Sequence, residues 1–304
     1  MCVGFWSLEH PDYALILCSN RDEYLSRPTT AAHFHSFGNI ESDVTSDRTV
    51  LSGRDLRAGG TWLGVSLAGR AAFLTNITEE AGQYNSSRGQ LVSSFLRPNA
   101  VSPTSLEEHL EKLVAENTPY AGFNLLLLSA VWSENDAHPR LSFEGGYVTN
   151  HGGGGKIAAR PLTDAERRRG GLSNGIDGKD ADTWPKVKHG LNLFSEVLDS
   201  ITENLDDLEL SERLFQLLTW KGDSPPRERS ELRNMIYIEP FSIGLQSPDT
   251  TPDYYGTRLS TVILIGRDGR ALFIERDIWM LDNENNVIKA DPGKQRVFRF
   301  VLRT

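Results

Sequence analysis

Strand-forming apolar runs dominate the first quarter of the chain. Cys2–Leu8 and Tyr13–Ser19 are two of them, and His10-Pro11-Asp12 between them has turn chemistry, so the pair predicts a hairpin. Thr61–Leu67 and Arg70–Ile77 repeat the arrangement around Ala68-Gly69. Phe123–Trp132 is a long apolar run; polar Ser133–His138 follows it, and then comes Leu141–Val148. Near the C-terminus Thr261–Gly266 and Ala271–Glu275 flank Asp268-Gly269, a strong hairpin signal.

Helical spacing falls between these strand groups. Thr104-Ser105-Leu106-Glu107 has capping-box spacing, and Leu106, Leu110 and Leu113 then recur on one face. Val187, Leu191, Phe194 and Leu198 form a second stripe after Pro185. Leu214, Leu217 and Leu218 form a third, with Ser211 as its expected cap. Because strands come in hairpin pairs and do not alternate singly with helices, the pattern predicts antiparallel sheets with helices outside them, an α+β arrangement. No fixed-period repeat and no Pro/Ser-rich linker divides residues 1–304, which read as one domain. Thr163–Asp180, polar and Gly-rich, reads as a loop insertion.

Composition narrows the function classes. The 304 residues are 38% hydrophobic and 24% charged, ordinary for a globular protein able to bury a core without staples. The formal charge is −9 and there is no basic stripe, so nucleic acid is not expected as a partner. Arg167-Arg168-Arg169, the only basic run, reads as a solvated loop. Two cysteines make no disulfide framework, nothing at the start reads as a secretory signal, and no apolar stretch has membrane-spanning length. The expectation is a cytoplasmic protein without an integral membrane segment, with peripheral contact to an organelle left open.

Cys2 is the first candidate for chemistry. Methionine is normally trimmed before a small side chain, so the mature chain is expected to begin with a cysteine. Such a residue carries its nucleophile and its base together, the thiol attacking while the α-amine takes the proton. The first hairpin brings the region around residue 20 back beside residue 2, which makes Arg21 the nearest positive charge and Asp22 a group to hold the ammonium. Neighbouring strand residues face opposite ways, so Arg21 and Asp22 can share a site only if a turn or bulge intervenes. Asn76, closing an apolar strand, and Asn174, after a Gly-Gly bend, could each donate to an oxyanion or simply occupy a turn.

Other motifs fail. Gly152–Gly155 before Lys156 lacks the order of a phosphate loop, and Ser66 and Ser86 lie in no nucleophile elbow. His33 and His35 would share a strand face but have no further ligands at zinc spacing, so no metal site is expected. His151, Met235 and Met280 could in principle bind haem iron, and no spacing singles one out.

Met1-Cys2 with Asn20-Arg21-Asp22-Glu23 resembles the signature of the NRDE, or transport and Golgi organisation protein 2, family. The likeness continues through Gly53-Arg54-Asp55, Gly59-Gly60-Thr61-Trp62-Leu63-Gly64, Leu74-Thr75-Asn76 and Ser87-Arg88-Gly89. It runs on through Gly122-Phe123-Asn124-Leu125-Leu126, Leu172-Ser173-Asn174, Trp184-Pro185-Lys186-Val187 and Tyr255-Gly256-Thr257-Arg258. That family is similar to the N-terminal-nucleophile hydrolases, which implies a four-layer αββα sandwich of two antiparallel sheets flanked by helices. Its nearest branch cleaves bile-acid and penicillin-type amides. By that likeness Cys2 is nucleophile and base, Arg21 and Asp22 support it, and Asn76 and Asn174 orient oxyanion and amine. Asn20, Glu23, Trp62 and Arg258 are the implied ligand contacts. In the amide-cleaving branch the Arg and Asp are separated, whereas here they are adjacent. The resemblance further implies roles in Golgi organisation and secretion and in haem or acyl-coenzyme A (lipid) handling, with contact to Golgi or mitochondria. The implied partner is a small molecule (haem, acyl-coenzyme A or an amide); no cofactor is required, and haem enters as cargo. Thr149–Gly171 is longer and more polar than the family pattern suggests, which would alter a pocket rim.

Overall fold

The computed structural model describes residues 2–38, 48–80, 82–97, 105–133, 139–202, 205–222, 224, 226, 228–242 and 253–303. In chain order its strands begin with β1 (Val3–Ser7), β2 (Tyr13–Tyr24), β3 (Thr29–His35), β4 (Val50–Asp55), β5 (Leu63–Ser66) and β6 (Arg70–Asn76). Then come β7 (Phe123–Trp132), β8 (Leu141–Thr149), β9 (Ala158–Pro161), β10 (Gly170–Leu172) and β11 (Phe241–Ser242). The last are β12 (Tyr254–Gly266), β13 (Arg270–Asp277), β14 (Trp279–Leu281), β15 (Val287–Lys289) and β16 (Arg296–Val301). The helices are α1 (Arg88–Leu96), α2 (Leu106–Glu116), α3 (Asp164–Arg168), α4 (Pro185–Asp199) and α5 (Asp207–Leu217). Two antiparallel sheets hold most of the strands. One runs β10-β1-β2-β12-β13-β16, with β11 added to β12, and the other runs β3 to β9 in sequence order.

The period-two alternation of the strands sorts side chains into layers. From β1, β2, β6, β7 and β12, Trp6, Leu15, Leu17, Phe73, Leu126 and Ile263 meet between the sheets. The alternate residues Val3, Phe5, Ile16, Val262 and Leu264 pack outward beneath Phe194 of α4 and Leu214 of α5. On the other sheet Ala72, Leu74, Leu125 and Leu127 pack beneath Leu91, Val92 and Phe95 of α1 and Leu106 of α2. The result is the expected αββα sandwich. Each fully buried Leu- or Phe-sized side chain contributes roughly 1.5–3 kcal/mol. Gly4 faces the inter-sheet core, where a Cβ would stand 2.5 Å from the Phe73 ring.

Three local readings need correction. The α2 capping box is set one residue later than expected: Ser105 caps Glu108, while Thr104 lies outside the described residues. Ser211 lies within α5, donating to the Asp207 carbonyl, because Asp206 already occupies the N-cap and accepts from the Glu209 N–H. The segment read as a loop contains α3 and β10. Arg167 and Arg168 end that short helix, Thr163 and Glu166 form its capping box, and Gly170-Gly171-Leu172 pairs with β1. Those glycines give no strand signal of their own; β10 exists because β1 offers an edge and Trp6 fills the space a Cβ at Gly170 would need.

Candidate active site

Val3 pairs with Asn20 in the first hairpin, so Cys2, one residue earlier, stands level with Arg21 at the end of the sheet. From the facing sheet β6 ends there at Asn76, and β10 delivers Ser173-Asn174 on the other flank. This junction is stapled across both sheets. Thr75 and Asn124 donate to the Ser173 carbonyl, the Ser173 hydroxyl donates to the Cys2 carbonyl at 2.9 Å, and the Asn174 amide donates to the Asn76 carbonyl at 2.5 Å. The segment therefore has little freedom to move relative to Cys2.

Cys2 sits where two lobes of a cleft meet. The smaller, about 120 Å³, is lined by Arg21, Thr61, Trp62, Ser87 and Gly89 among others. The wider, about 480 Å³, is lined by Tyr24, Ile77, Glu79, Asn174 and Tyr255 among others. Cys2, Asp22, Glu23, Arg27, Asn76 and Arg88 border both. The Cys2 thiol lies 3.9 Å from the Asp22 carbonyl oxygen, and burial pushes its pKa up. Asp22 and Arg21 act on it in opposite senses, the carboxylate raising and the guanidinium lowering the value.

Arg21 and Asp22 both line the smaller lobe. Opposite them β12 carries a bulge: Thr257 pairs with Asp22 and Leu259 with Arg21, leaving Arg258 extra. Arg21 sits over Trp62, its guanidinium carbon 4.0 Å from the ring centroid. Its residue is only 5% exposed, and Nη1 has no hydrogen-bond partner among the described residues. Asp22 accepts from the Thr257 hydroxyl at 2.7 Å, and burial raises its carboxyl above the usual range.

Asn76 and Glu23 border both lobes. Asn174 borders the wider one, and Trp62 walls the smaller. Asn20 does not line the cleft. It faces the helical layer, its amide donating to the carbonyls of Leu218 and Ile236 and its oxygen accepting from Ser260. Arg258 lines neither lobe; it donates to the Tyr24 and Arg27 carbonyls and so fixes the turn after β2. His151, Met235 and Met280 also line neither lobe. The polar rim segment does approach the cleft, since the Gly153 N–H donates to Glu79 of the wider lobe at 2.6 Å.

Lys186 went unassigned in the sequence. It is fully buried near the start of α4, where burial lowers its pKa to about 8, and the charges of Asp22 and Cys2 act in the opposite sense. Its sequence signals are its place in the Trp184-Pro185-Lys186-Val187 segment of the resemblance, which assigned it no role, and its position between a helix-starting proline and an apolar stripe. Arg88, whose pKa burial also lowers, escaped notice in the same way.

The αββα sandwich, with Cys2 just ahead of its first strand, is an N-terminal-nucleophile-hydrolase-like fold. Among solved structures, a conjugated bile acid hydrolase from Clostridium perfringens aligns over 99% of this chain and 96% of its own, with a TM-score of 0.50 and 10% identity, a likeness of fold. Within that architecture the chain belongs to the Transport and Golgi organisation 2 family, whose model matches residues 1–280. It is similar to the Transport and Golgi organization protein 2 homolog of Bos taurus, 32% identical over 91% of this chain and 93% of that protein. The corresponding Homo sapiens protein is 30% identical over the full length of both. Among the described residues no helix is long and apolar enough to cross a membrane.

Proposed function

We propose that the cleft holds a small acylated ligand with its carbonyl over Cys2, and that Cys2, at the start of the mature chain, cleaves an amide or thioester bond in it. One observation carries this reading: a thiol kept protonated by burial, in a cleft with no histidine in its wall among the described residues. Such a thiol attacks only if a base takes its proton, and a terminal cysteine brings an α-amine whose ordinary pKa is about 8. The thiol proton passes to that amine while sulfur bonds to the carbonyl carbon. The ammonium then returns the proton to the departing amine or thiol as its bond to the acyl group breaks. Water hydrolyses the acyl-thioester, releasing the acid and restoring Cys2; an amine in place of water makes the reaction an acyl transfer.

Arg21 supplies positive charge to the developing thiolate, and Asp22 orients the ammonium. The Asn76 side chain is the oxyanion donor, and Asn174 orients the strand end that carries it. Cys2→Ala should abolish conversion of a panel of amides and acyl-thioesters; undiminished conversion by that variant excludes the mechanism.

A second reading, a carrier of haem or acyl-coenzyme A acting in Golgi organisation and lipid handling, draws on the two-lobed cleft itself, which can hold a ligand with no bond cleaved. It requires saturable one-to-one binding of one of these ligands by the Cys2→Ala chain. No saturation would count against it.

A further inference from the structure

We propose that the small lobe is a subsite for a small, singly charged carboxylate carried by the ligand. This deepens the reading of the cleft as an acyl-ligand site and rests on it for the ligand's other half. The ligand class is then an N- or S-acylated compound whose short arm ends in a carboxylate.

Three groups converge there. First, α1 starts at the lobe, with Ser87, Arg88 and Gly89 in its wall. Ser87 occupies the N-cap position but makes no side-chain cap, and no acidic residue lies in the first turn. The first N–H groups of a helix have no partner within it, and the positive end of its dipole favours an anion. The helix start is held at the lobe by contact between glycines: a Cβ on Gly60 would stand 2.4 Å from the Gly89 carbonyl carbon. Second, the buried Arg21 guanidinium borders the lobe with Nη1 unpartnered among the described residues, and a buried charged donor without an acceptor is costly. Third, Arg88 borders both lobes, with Nη1 anchored on the Gly122 carbonyl.

The acidic groups of the lobe decide the charge of its occupant. Asp55 is taken by Arg27 at 2.7 Å, and Asp22 accepts from Thr257. Glu23 remains, accepting from the Tyr24 N–H, and its negative charge favours a monoanion over a dianion such as phosphate. At about 120 Å³ against about 480 Å³, this lobe is the smaller of the two and takes the shorter arm of the ligand. The longer part of the ligand then extends past Cys2 into the wider lobe.

The test uses the Cys2→Ala chain, which binds without turnover, titrated calorimetrically with N-acetylglycine, N-acetylglycinamide and inorganic phosphate. N-acetylglycine should bind saturably, and the uncharged amide and phosphate at least about tenfold more weakly. Arg88→Met should weaken the acid by about tenfold. Ser87→Asp gives α1 a carboxylate of its own, so its melting temperature should hold or rise while acid binding is lost. Equal binding of acid and amide, no binding of either, tightest binding of phosphate, or full affinity in a folded Ser87→Asp chain would each overturn the subsite. Failure here leaves cleavage by Cys2 standing. Turnover of uncharged amides and charged ones at equal rates would show that outcome directly.

Discussion

Cys2 and Cys18 belong to one hairpin yet live in different chemistry. Cys18 pairs across the sheet with Phe5 and Val262, and its side chain enters the helix-side core with Ile16 and Phe194. Burial alone pushes its thiol far up; a hydrogen bond with the Phe5 backbone opposes this, and no charged group acts on it. Cys2 shares the alternation of Gly4 and Trp6, so it turns to the inter-sheet side, at the strand end where the two sheets part and the cleft begins. Burial raises this thiol too, but Arg21 and Asp22 act on it. Cys18 is sealed in the core and Cys2 is half-buried at the cleft; what further separates them is which face of the sheet each takes and whether charge reaches it.

The largest effect expected is on turnover. Cys2→Ala should cost at least about a thousandfold in kcat/KM, whereas Cys18→Ala should leave kcat/KM unchanged. Equal losses in the two variants would erase the distinction. On stability the order reverses: Cys18→Ala opens space in a sealed core and should lose about 1–2 kcal/mol in urea unfolding, more than Cys2→Ala loses.

Smaller effects sharpen the role of charge. Arg21→Met should slow alkylation of Cys2 at neutral pH by about tenfold, since the thiolate fraction falls as its positive neighbour is removed. Arg21→Lys should not fully restore the rate, because an ammonium does not reproduce the contact of a planar guanidinium with the Trp62 ring. Lys186 gives the smallest signal. Its folded pKa of about 8 lies below the ordinary 10.5, so between those values the unfolded chain binds more protons and stability rises with pH. The stability of the native sequence relative to Lys186→Met should climb across that window. A flat difference would mean that Lys186 does not titrate there.

Much of this was legible from residue order alone. The hairpins at Cys2–Ser19, Thr61–Ile77 and Thr261–Glu275 follow from turn chemistry between apolar runs, and hairpin arithmetic already sets Cys2 beside Arg21. The bulge opposite Arg21 and Asp22 was not legible, because it lies in β12 and is a property of a pairing between distant segments. Asn174 owes its position to β10, whose Gly-Gly-Leu has no strand propensity and exists only against β1. Asn20 belongs to the same four-residue signature as Arg21 and Asp22, yet it faces the helices and braces two loop carbonyls. Strand β4 was missed, and of β3 only the alternation of His33 and His35 was legible; Thr29–His35 carries polar side chains on an edge, with Ser52 of β4 reaching His35.

The measurement that bears most directly on the account is intact mass after brief mild alkylation of protein purified from its own cells. Loss of Met1 with fast labelling at Cys2 and none at Cys18 is the expected result. Retention of Met1, or labelling of Cys2 no faster than Cys18, would contradict a terminal-cysteine nucleophile.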